Sequence, residues 1–257
     1  MSDSTLFGIL ATVLQSGALA VVIVSSIKLM TNENATFFPF MFVLAMSSYF
    51  LSDLYWIAYD LLKPDTRMPI ASNEIGECAM ILLLSAGLET ILDEKQKKTG
   101  EVAFAILFIG ANIVLWIAWS GEWFQDILFG IPYIYFLWIL IRGLLSRKLL
   151  SLKEMLFVSV ASVSVLMMQI PLFFVKGKLF ELTDFLNFVV MFVVMAWLGF
   201  KSFQCKDCFV ASTFFLWTEL SMFLSHDVYY NIALAVNTIA CISMFLSMKR
   251  ELAYDLC

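Results

Sequence analysis

From residue 6 to residue 248 the chain is a succession of apolar runs, each close to or above the ~20 residues that a helix needs to cross a bilayer. Nine such runs can be read, at about 6–29, 37–62, 71–92, 102–120, 124–145, 154–175, 180–200, 208–225 and 228–248. Breakers or charges interrupt them in short connections such as "TNENAT", "KPDTRMP", "LSRKLLSLK" and "SHD". None of these is long enough for a soluble domain. Composition agrees: 61% of the 257 residues are hydrophobic and 14% charged, against roughly 45–50% and about 25% in soluble domains. The prediction is an all-α, polytopic integral membrane bundle forming a single transmembrane domain. It has nine spans, or eight if one of the last two runs, which a very tight turn joins, lies flat.

Lys and Arg are retained on the cytoplasmic side of membranes. With the N-terminus outside, twelve cations fall in inner loops or the tail, and only Lys63, Arg67, Lys176 and Lys178 fall outside. That asymmetry predicts an N-out, C-in arrangement in the cytoplasmic (plasma) membrane. The first run lacks a basic leader and a small-residue cleavage site, so it reads as a retained span.

With direction set, the polar residues inside the runs acquire a depth, and most fall between the midplane and the outer surface. Asp53 and Asp60 stand seven apart on the second run, which returns to nearly the same helical face, and Trp56 shares that stripe. Glu74 and Glu77 are neighbours at i, i+3 on the third. Gln169 lies in the sixth run, Asp184 and Asn187 in the seventh, and Glu219 and His226, again seven apart, in or at the end of the eighth. Glu89, at the inner end of the third, is the exception. An ionised acid at mid-membrane costs at least ~2.5–3.5 kcal/mol, so these faces should turn inward. The reading is an acidic pocket open to the outside. Asp53, Trp56, Glu77, Asp184, Glu219 and His226 form it, with Asp60, Glu74, Gln169 and Asn187 in support. The competing structural reading makes the acids buried, hydrogen-bonded interhelical glue.

The function such a pocket suggests is a secondary transporter or binding protein for a cationic solute, a metal ion or protons. Trp56 would stack on an organic cation. Whether a metal binds is left open: His226 has no second histidine or thiolate beside it for zinc, and hard-cation ligation would suit the acids better. "CKDC" at Cys205–Cys208 reads as a plain loop, and five cysteines in these placements do not suggest a disulfide framework. No phosphate-cradling glycine loop, metalloprotease box or serine nucleophile elbow occurs. The chain thus calls for no cofactor, no catalytic residue and no nucleic acid. The bilayer and a small cationic ligand are the partners read from it.

Two stretches echo each other: Ser52-Asp53-Leu54…Asp60 lines up with Thr218-Glu219-Leu220…His226. The same stretches resemble the bacterial lysoplasmalogenase-like membrane family, which carries a Gly-Asp pair in an early helix and a Ser-Asp pair in a late one. Here Ser52 replaces the first Gly and Glu219 the late Asp, and the family's histidine after the first pair is missing. The resemblance implies an alternative function, an intramembrane lipid hydrolase using paired carboxylates. A third reading is a membrane sensor acting through a partner protein.

Overall fold

The computed structural model describes residues 3–32, 37–63, 72–92, 110, 123–172 and 174–255. Its elements are eight α-helices: α1 Asp3–Asn32, α2 Phe37–Leu62, α3 Ser72–Thr90, α4 Trp123–Ser146, α5 Leu152–Leu172, α6 Lys178–Cys205, α7 Cys208–Phe223 and α8 Asp227–Asp255. Among the described residues, five stretches are long and apolar enough to cross a membrane: Phe7–Thr31, Phe37–Tyr59, Leu152–Leu172, Lys178–Cys205 and Val228–Leu252. Gly130–Ser146 and Cys208–Phe223 are apolar but shorter. The run expected at 102–120 lies outside the described residues, Gly110 apart. The last two runs do form separate helices.

Local chemistry explains the helix ends. Asp207 caps α7 by accepting the Phe209 amide at 2.8 Å. Ser151 and Glu154 form a reciprocal capping box at the start of α5, with Ser151 N donating to Glu154 Oε2 at 2.7 Å. Gly177, at φ 61°, supplies the turn before α6 that a side chain would resist. Pro39 sits in the first turn of α2 and Pro171 at the last turn of α5. A missing N–H costs nothing at a first turn, and Pro171 ends its helix instead of bending it.

The chain divides into two compact units. The terminal unit is Met1–Ala18 with Arg147–Cys257, and the middle unit is Leu19–Ser146. In the terminal unit α6 packs against α5, α7 and α8, and α7 packs on α8. Gly199 lets α6 approach α7 closely: a Cβ there would stand 3.0 Å from the Phe214 ring. Trp217 Nε1 donates to the Met191 carbonyl at 3.1 Å, and the Ser202 and Ser243 hydroxyls bond at 2.6 Å. In the middle unit α3 packs between α2 and α4. A Cβ on Gly76 would meet Ser52 Cβ at 3.0 Å, and one on Gly87 would meet Phe38 at 2.8 Å, so α2 and α3 run antiparallel in close contact.

Both units are inside-out by the standard of water-soluble proteins. Leu14 is 74% exposed while its neighbour Gln15 is fully buried. Along α5, Leu152, Leu156, Val160, Val163 and Met167 are exposed and Gln169 is buried. Apolar side chains outward and amides inward suit hydrocarbon surroundings, where lipid costs an apolar side chain nothing and an unbonded polar group is expensive. The chain is therefore an all-helical protein of membrane type.

Candidate functional site

The terminal unit has two chemically different ends. One holds the turn at 174–177 before α6 and the turn at 224–226 between α7 and α8; Asp184, near the start of α6, bonds His226 of the second turn. Gln169 is three residues from the end of α5, and Asp184 and Asn187 are six and nine residues into α6. Glu219 is four residues before the end of α7, and Asn231 and Asn237 are four and ten residues into α8. At ~1.5 Å per residue all lie within about 15 Å of that end. Every one of them is buried.

Within this polar end the side chains form two groups. His226 Nδ1 stands 3.2 Å from Asp184 Oδ1, with the Phe180 ring edge-on to the imidazole at 5.7 Å. Tyr229 stacks on Phe188 at 4.6 Å, one residue from Asn187. Deeper, Asn237 is a hub. Its Nδ2 donates to Glu219 Oε1 at 2.8 Å and to Thr218 Oγ1 at 3.0 Å, and its Oδ1 accepts from Gln15 Nε2 at 3.1 Å. The Cys241 thiol adds a weaker contact of 3.7 Å to the same oxygen. Asn237 thus ties α1, α7 and α8 together around the Glu219 carboxyl.

Several amides there are incompletely matched. Asn187 is fully buried, and among the described residues neither its Nδ2 nor its Oδ1 has a partner. Gln169 Nε2 and Asn231 Oδ1 are likewise buried without one. A buried polar atom left so costs about 1–3 kcal/mol, and natural proteins seldom hold several close together.

The sequence expectations meet this geometry in part. Asp184 and His226 come together, at the same end as Glu219, Gln169 and Asn187. His226 does not share a helical face with Glu219, as the seven-residue spacing suggested. The reason is that α7 ends at Phe223 and the chain turns, so that His226 reaches back to α6. The echo with Ser52–Asp60 fails at the same point, because Asp60 is still within α2. Asp53, Trp56 and Glu77 belong to the middle unit, where Asp53 is buried and the other two are half-buried. The Gly76–Ser52 contact sets the Ser52–Asp53 and Gly76–Glu77 pairs against one another on α2 and α3. The side chains of Asp60 and Glu74 lie outside the described residues. Among the described residues no group of three or more His, Cys, Asp or Glu side chains is placed to hold a metal ion.

Gln15, Thr218 and Asn237 were missed. An amide at mid-span carries the same burial argument as a carboxylate, so a search for any polar side chain in an apolar run, not only ionisable ones, would have found Gln15 and Asn237.

The opposite end of the terminal unit is cationic, and its Arg147, Lys201 and Arg250 each have partners. Arg147 donates from Nη1 to Asp207 Oδ2 at 3.0 Å and from Nη2 to Glu251 Oε1 at 2.6 Å, and it stacks over the Phe209 ring at 4.9 Å. Burial disfavours its charge, but the hydrogen bonds and charges of Glu251 and Asp207 outweigh this and push the guanidinium pKa up. Lys201 pairs with Glu154. Arg250 donates to the Cys205 carbonyl at 2.7 Å, closing the end of α6. In "CKDC", therefore, Asp207 caps and pairs and the Cys205 backbone accepts; both cysteines are free thiols.

Neither known protein families, nor curated protein sequences, nor solved structures yield a match to this chain. The site must speak for itself.

Proposed function

We propose that the chain is a multi-pass protein of the cytoplasmic membrane that binds a small cationic solute, or protons, and carries it through the polar end of the terminal unit as a secondary transporter. The observation that carries this reading is Asn187, wholly buried with both amide atoms unmatched, at the end that also holds Asp184, His226 and Glu219. Glue between helices would use up its hydrogen bonds, as Asn237 does. Asn187 keeps both of its groups open at a cost in stability, which suits a polar visitor. The nearby carboxyls favour a positive one, and the stacked Tyr229 and Phe188 rings offer an organic cation an apolar wall. A multidentate metal site is the weaker form of the reading, because no ligand group of the required size is assembled among the described residues.

Nine crossings with the N-terminus outside remain part of the proposal. Glu89, in the last turn of α3, meets Tyr135 and Arg142 in the C-terminal half of α4, so these helices end on the same side. An odd number of crossings between them accounts for that. The cationic end of the terminal unit supports the cytoplasmic placement of Arg147, Lys201 and Arg250.

The test is a thermal-shift screen of the detergent-purified protein with mono- and divalent cations, amines and polyamines across pH, followed by uptake into proteoliposomes. Glu219→Gln keeps an acceptor for Asn237, and Asp184→Asn keeps one for His226, so both should fold. Each should weaken binding of the stabilising cation by about tenfold, the loss of one charge-assisted contact. Binding and uptake indifferent to both substitutions would end the proposal.

A further inference from the structure

The middle unit contains a charged group that the polar end of the terminal unit does not use. Arg142, four residues before the end of α4, is 6% exposed, in a helix whose Gly130–Ser146 stretch is apolar. An arginine in such surroundings needs close acceptors, and it has poor ones. Its Nη1 lies 4.0 Å from Glu89 Oε1 on α3, well beyond the ~2.7–2.9 Å of a charge-assisted hydrogen bond. The other Glu89 oxygen accepts from the Tyr135 hydroxyl, on the same face of α4 two turns earlier. Tyr135 thereby holds the carboxylate off the guanidinium. The Trp138 ring covers Arg142 at 5.8 Å. Nε is buried and has no acceptor among the described residues.

We propose that Arg142 is the base of an oxyanion site on the α3–α4 pair, and that the group it takes is a phosphate, from a phospholipid headgroup or from free phosphate. Guanidinium presents Nε–H and an Nη–H as a planar fork, which two oxygens of one phosphate match bidentately. The Nε edge of Arg142 is the unmatched edge. Access is from the rim, where Glu89 is 34% and Tyr135 39% exposed and Leu145, one turn beyond Arg142, is exposed and apolar. An exposed apolar rim around a buried cation, one turn from a helix end, fits a lipid whose headgroup enters and whose chains stay outside. Glu89 is the competing anion at the rim and limits the affinity.

The experiment uses the full-length protein, delipidated in detergent and titrated in three arms while thermal unfolding is followed. The arms are phosphatidic acid, the diacylglycerol with the same chains, and inorganic phosphate. Phosphatidic acid should raise Tm and the diacylglycerol should not. A response to inorganic phosphate as well identifies the free ion as sufficient, whereas a response to phosphatidic acid alone identifies a lipid site. Arg142→Gln should weaken the response by about tenfold, and Arg142→Lys, which keeps the charge and loses the fork, by a similar factor. Since loss of Arg142 could disturb α4, Glu89→Gln is the second variant: removing the competing charge should tighten phosphate binding severalfold. Equal effects of phosphatidic acid and diacylglycerol with no response to phosphate would overturn the proposal. So would wild-type affinity in R142Q, or unchanged or weaker binding in E89Q.

Discussion

The two ends of the terminal unit use polar groups in opposite ways. At the cationic end Arg147 has two carboxylates and a ring, Lys201 has Glu154, and Arg250 closes a helix terminus. At the other end Asn187, Gln169 and Asn231 leave polar atoms unmatched while buried. Satisfied groups hold a fold together, whereas unsatisfied ones spend stability on something else. On the proposed reading, therefore, the density of charge is a poor guide to function. The state of the hydrogen bonds is a better one.

That contrast can be broken most easily at Arg147. Arg147→Ala should strand Asp207 and Glu251 and destabilise the protein by about 2 kcal/mol, less than the full cost of splitting a buried pair because Arg147 is part-exposed. Denaturation of the detergent-purified variant measures it, and cation binding at the far end should be unaffected. If R147A abolishes cation binding without loss of stability, the functional end has been misplaced. Asn187→Leu should do the reverse. Removing two unmatched buried groups should leave stability unchanged or raise it by about 1 kcal/mol, while cation binding and uptake fall. A destabilised N187L that still transports would mean that Asn187 is structural. The smallest effect belongs to His226→Gln. The imidazole is 53% exposed, so its contact with Asp184 should be worth under about 0.5 kcal/mol, and the variant should unfold almost as the wild type does. A large loss of stability in H226Q would show that the polar end, too, is held by its ion pair.

The helices were the most legible part of the protein in its sequence. The expected 37–62 span is α2 residue for residue, and the expected 154–175 and 180–200 spans differ from α5 and α6 by two to five residues at each end. Length and apolarity decide a span, and both are local properties. The site was legible in its ingredients only. Asp184, Asn187, Gln169, Glu219 and His226 were picked out as polar residues in apolar runs, but spacing assigned His226 to the wrong face. A helix ends where tertiary packing and turn geometry end it, and a count of seven residues cannot see that.

By itself the sequence determined that this chain builds apolar helices of membrane type and buries a limited set of acids and amides, because hydrocarbon-length runs have no other stable conformation. Only the tertiary structure decided how those groups pair: Glu219 with Asn237, Asp184 with His226, and Asn187 with nothing. Hydrogen bonds act over about 3 Å, and which atoms come that close depends on rotation and register between helices far apart in the chain.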